Sequence, residues 1–245
     1  MGRHDGKGGL EEALEVMGAE DLRRVIRGIM VWAEAPFRGQ VVEEVLNQAA
    51  AGEAGWIPEG PSREEVEEAL AWAEEALGDG SAEPEEANRR LRLGSAAFRA
   101  RDYENTRGIF KALLVPLGVW EIDVGADERL GEVLGPGVYD YARHYLISVY
   151  MTTPPGERVW ALDRALEEMK PIWLFSSPLK RMEEAALEPL PGFEVFLGEW
   201  REFLAGKREK GTPTYSQKSW LEEALLREGG PEAQGRDPGG LFPPA

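Results

Sequence analysis

The chain has no cysteine. Disulfides, thiolate nucleophiles, zinc fingers and iron–sulfur clusters are therefore excluded together. Histidine is almost as scarce, with His4 and His144 alone, so imidazole-rich metal sites and most catalytic triads lack their material. Neither a metal nor a cofactor is expected. No apolar run approaches the ~18–20 residues of a spanning helix, and no membrane association is expected. The opening "MGRHDGKGG" is polar and glycine-rich and lacks the apolar core of a signal peptide. These absences predict a cytoplasmic protein.

Positive charge is in deficit. There are 28 Lys and Arg against 45 Asp and Glu, a formal charge of −17. A chain this acidic is repelled by phosphate backbones, so direct nucleic-acid binding is not expected without a basic patch. The densest basic runs, "NRRLR" (88–92) and "KREK" (207–210), are short and diluted by acid. Each reads as a solvated helix face or end. The charge predicts instead a protein partner with a basic surface.

Period-2 alternation is missing as well, so no sheet is expected. What remains is helical period almost throughout a globular composition of 42% hydrophobic and 9% aromatic residues. Residues 19–33 place Leu22, Val25, Ile26, Ile29, Met30 and Ala33 on one stripe, and a second helix follows Pro36. Gly and Pro make 51–61 a loop. Ser62 with Glu65 reads as a capping box opening a third helix, and "GDGSAEP" (78–84) ends it. A helix over 85–99 precedes one capped by Asp102 and running to 115. Further helices are expected over 138–150, from Thr153 with Pro154 and Pro155 to 169, from Ser177–Pro178 to 187, and from 193. A separate final helix, "SQKSWLEEALLREGG", carries Ser219 and Glu222 as a second capping box. Residues 1–9 and the Gly/Pro-rich 229–245 read as disordered, 10–55 as N-terminal helices, and 62–228 as a helical-hairpin domain. The fold class is all-α, an irregular array of helical hairpins.

The stretch "LGSAAFRARDYENTRGIFKALL" makes residues 85–115 resemble a tetratricopeptide unit. Leu93-Gly94 matches the point where the first helix lets the second approach, Phe98 follows, Asp102-Tyr103 matches the turn, and Phe110 fills the large position of the second helix. Thr106 stands where a small Ala is usual, Arg101 where Gly is common, and Pro116 comes about two residues early. No second copy recurs at the ~34-residue period of a regular solenoid. Over residues 62–235 the order of "EEVEEALAWAEEAL", the Asp-Tyr hairpin, "WEIDVGADERLGEVL", "ISVYMTTPPGERVWALDRALEE" and "LPGFEVFLGEWREFLAG" is similar to the helical region of uncharacterised bacterial proteins. Some of those carry a SWIM-type zinc finger, which needs the cysteine this chain lacks.

Candidate chemistry is thin. "GRHDGKGG" has three residues, not four, before its Gly-Lys, no Ser or Thr after it, and no preceding strand, so it is not a phosphate loop. Asp140, His144 and Ser148 lie at i, i+4 and i+8 of one helix. Without an oxyanion donor or a cleft signal this reads as a surface pair beside a tyrosine-rich packing face, with a ligand groove as the alternative. Trp72, Trp160, Trp200 and Trp220 each border an apolar stripe, as core or as part of a groove. In "IWLFSSPL" (172–179) four consecutive large apolar residues cannot share one face of a helix. Tyr139, His144, Trp160, Trp173 and Phe175 are the candidate partner-binding residues; no catalytic residue is assigned. The expected function is a non-enzymatic helical scaffold that binds another protein through an aromatic-lined face. The alternative is an acidic regulator that occupies the basic nucleic-acid channel of an enzyme.

Overall fold

The computed structural model describes residues 16–52, 56–126, 130–135, 137–169, 172, 177–211 and 214–228. The remainder, including both expected disordered tails, Trp173 and Phe175, lies outside the described residues. The helices are α1 (Ala19–Trp32), α2 (Ala35–Ala51), α3 (Arg63–Asp79), α4 (Pro84–Arg99), α5 (Tyr103–Gly118), α6 (Leu130–Leu134), α7 (Val138–Thr152), α8 (Arg158–Met169), α9 (Pro178–Ala185), α10 (Phe193–Lys210) and α11 (Tyr215–Glu228). No strand occurs among the described residues. One isolated bridge joins Ser81 to Asp123, with the Ala82 amide donating to the Asp123 carbonyl at 2.8 Å. The fold is an all-α array of helical hairpins.

Local chemistry accounts for most helix boundaries. Ser62 and Glu65 form the expected capping box at α3, and Gly80 closes that helix in the left-handed region at φ 71°. Asp102 caps α5 by accepting from the Asn105 amide at 3.2 Å. Arg101, just before it, sits at φ 60°, where a residue with a Cβ is strained by about 1–2 kcal/mol. That explains why glycine is common at this position of the turn. Pro116 does not end α5, which runs on to Gly118; the proline forfeits only its own amide bond to the carbonyl four residues back.

Three expectations change. The last helix starts at Tyr215, and its box is Thr214 with Gln217. The Thr214 amide donates to Gln217 Oε1 and the Gln217 amide to Thr214 Oγ1, so Ser219 and Glu222 lie within the helix. Thr153 ends α7 rather than capping the next helix; a 3-10 turn at Pro155–Glu157 intervenes before α8. The stripe of α1 faces no core, since no residue of α1 is buried.

The chain divides into two compact units between Gln48 and Ala49. The first contains α1 and most of α2. In the second, α4, α5 and α7 pack around Phe98, Phe110, Leu113, Tyr141 and Leu146, all buried. Gly94 is required there: a Cβ on it would lie 2.8 Å from the Phe110 ring, so only glycine lets the two helices approach this closely. A second aromatic series, Tyr150, Phe196, Trp200 and Trp220, joins α7 to α10 and α11 with successive ring centroids 5.1, 5.9 and 6.3 Å apart. Trp200 and Trp220 are core residues.

Candidate partner-binding cleft

Helix spacing builds a cleft with α7 as its floor. Tyr145, Val149 and Thr153 follow one another at four-residue steps and line one face. Arg107 and Lys111, also four apart, project from α5 as one wall. Trp160, Arg164 and Glu168 project from α8 as the other. The cavity between them holds about 580 Å³, within the range of ligand-sized clefts.

The polar lining is tied down on one side. The Tyr145 hydroxyl donates to Glu168 Oε2 at 2.9 Å, and Lys111 Nζ lies 3.4 Å from the other oxygen. Burial, reinforced by the Glu168 charge, pushes the Tyr145 hydroxyl pKa up, so this proton stays in place at neutral pH. Arg107 Nη1 donates to the Thr152 hydroxyl at 2.9 Å. At the opposite edge Lys207 grips both Asp163 oxygens at 2.6 and 2.7 Å. Its ammonium also lies 4.9 Å from the Phe203 ring centre. Phe203 in turn meets Trp160 edge-to-face at 4.6 Å. Trp160 is thus propped in position yet remains 66% exposed. An aromatic side chain held rigid and open to solvent is the kind of residue that anchors a partner at low entropic cost.

The other expected site residues are dispersed. Tyr139 is half-buried and packs on the core. His144 is not on the surface. It is 3% exposed, stacks on Phe98 at 4.0 Å, and shares a hydrogen bond with Ser95 Oγ at 3.0 Å. Asp140 instead meets Arg143 at 3.1 Å, and the Ser148 hydroxyl donates to the Tyr145 carbonyl at 2.7 Å. The Asp140–His144 surface pair therefore does not form. Desolvation decides this: α7 turns His144 inward against α4, where a neutral ring is packed and a carboxylate is not. No cluster of three or more His, Asp or Glu able to hold a metal occurs among the described residues.

Of the expected residues that are described, Trp160 alone lines the cleft. Arg107, Lys111, Tyr145 and Glu168 were not singled out from sequence. Their i, i+4 spacing was visible, but nothing local shows that the faces of α5 and α8 look at one another. No family model, no curated protein and no solved structure matches this chain.

Proposed function

We propose that the chain is a non-enzymatic helical scaffold, bacterial and cytoplasmic, that binds another protein through the aromatic-lined cleft around Trp160. The observation that carries this reading is Trp160 itself, propped by Phe203 and two-thirds exposed at the rim of a cleft with a charged lining. Stacked helical hairpins form concave faces suited to such contacts. The charge of −17 steers a partner with a basic surface toward it. The tetratricopeptide resemblance of α4 and α5 belongs to the same reading.

The test is affinity capture from the source cell with three baits: the wild-type chain, Trp160→Ala, and Leu77→Ala, whose residue is exposed on α3. The expected result is a partner that wild type and Leu77→Ala retain and that Trp160→Ala holds at least about 30-fold more weakly, the effect of a hot-spot aromatic. Equal retention by Trp160→Ala, or recovery of nothing at low salt, overturns the reading.

A second reading rests on α3, where Glu64, Glu67, Glu68, Glu74 and Glu75 are all exposed. Such a row suits an acidic regulator seated in a basic channel. It replaces the first reading if neutralising these residues abolishes capture while Trp160→Ala leaves it unchanged.

A further inference from the structure

The two walls of the Trp160 cleft run in the same direction. Arg107 reaches Thr152, just ahead of α8, and Lys111 reaches Glu168, near the end of that helix. Arg107 therefore lies across from the turn between Trp160 and Arg164.

Six charged side chains line this cavity, Arg107, Lys111 and Arg164 against Glu157, Asp163 and Glu168. Two of the acids are already engaged. Glu168 takes the Tyr145 hydroxyl and Lys111, and Asp163 is held through both oxygens by Lys207. The arginines are not matched in the same way. Arg107 uses Nη1 on the Thr152 and Thr153 hydroxyls and has no ion pair among the described residues. Its Nε–Nη2 edge is left over, the edge that grips a carboxylate through two parallel hydrogen bonds. The threonines hold the guanidinium in place, so a ligand orders little more on binding. Arg164 is exposed and has neither an ion pair nor a hydrogen bond among the described residues.

Glu157 stands three residues before Trp160, and Arg164 four after it. This wall thus presents acid, indole and guanidinium in that order along one face. It complements a chain that runs past the indole in both directions, so the carboxylate it meets belongs to a side chain and not to a chain end. The charge of −17 acts on the partner as a whole during approach. Within the cleft, at distances shorter than the ~8 Å Debye length, the nearest groups decide.

We propose, on the reading that this cleft is the partner site, that the entering segment carries an internal Asp or Glu gripped by Arg107 and Arg164. An apolar side chain lies beside that acid on Trp160, and a basic residue follows toward Glu157.

The test is selection of random peptide segments on the full chain, displayed inside a loop so that no chain end is presented. The expected segments share an Asp or Glu next to an apolar anchor or one helical turn from it. Replacing that acid by its amide weakens binding at least about tenfold, the scale of a hydrogen bond between charged groups. Arg107→Gln loses the same factor, and in that variant the amide replacement costs nothing further. Arg164→Gln loses less, because its pair is exposed, and Arg164→Glu turns the preference at that position toward Lys. Arg164 is too exposed for its replacement to unfold the chain, so its two variants report on binding even if Arg107→Gln disturbs α5. Segments that need Trp160 but share no acid overturn the proposal and leave the Trp160 reading standing. So do acids whose removal has the same effect with and without the arginines. Segments indifferent to Trp160→Ala overturn both, and recovery of no segment overturns the proposal.

Discussion

His144 shows what burial does to a single side chain. Its ring lies between Phe98 and Phe110 with Ser95 as hydrogen-bond partner. Burial, then the charges of Arg99 and Arg143, lowers its pKa to about 3. The unfolded chain takes up this proton near pH 6.5 and the folded chain does not. The stabilisation is thus fully present above pH 6.5 and is lost as the pH falls toward 3. The slope approaches about 1.4 kcal/mol per pH unit within that window. Glu86, held down to about 2 mainly by its hydrogen bond from Arg89, releases its own contribution below about pH 4.5, under most of the histidine window. Urea midpoints measured at pH 7, 6 and 5 are expected to fall for the wild type and to flatten in His144→Gln. An equal slope in the variant would show that some other group carries the pH dependence.

At the scale of elements, the short helix α9 depends on a residue 44 positions away. Ser177 makes no side-chain cap. Instead Glu223 of α11, itself buried, accepts from the Leu179 and Lys180 amides at 3.2 and 2.7 Å. A carboxylate at a helix N-terminus satisfies orphan amides and meets the positive end of the helix dipole. Glu223→Ala leaves those amides unpaired in a buried setting and is expected to cost about 1–3 kcal/mol. Glu223→Gln, which keeps one acceptor, is expected to cost less. Chemical denaturation checks both, and an Ala variant within about 0.5 kcal/mol of wild type would refute the cross-helix cap, since that is the size of an ordinary surface substitution. This contact also marks the limit of what the sequence shows. Caps made within three residues, such as Ser62–Glu65 and Asp102, were legible because donor and acceptor lie on one turn. In the last helix the same signature points to Ser219–Glu222, whereas the box that forms is Thr214–Gln217. The stripe of α1 was legible as an apolar face, but periodicity reports that a face is apolar and not that anything covers it. The cleft was half legible in the same way. The i, i+4 pairs showed which residues share a wall, and only tertiary packing set Arg107 opposite Trp160.

Across the whole molecule, burial is distributed unevenly enough to be measured. Ten of the fifteen residues of α7 are buried, on α5 the interior face is closed from Thr106 to Gly118, and α1 has no buried residue at all. Backbone amides in a helix with many buried apolar contacts exchange with solvent only when the surrounding core opens. Those in a helix without them exchange through local fraying at much lower free energy. Hydrogen exchange near neutral pH is therefore expected to label α1 at least tenfold faster than α7. Uniform protection across both helices in dilute protein would mean that α1 opens only with the rest of the chain, and the contrast in burial would then have no counterpart in stability.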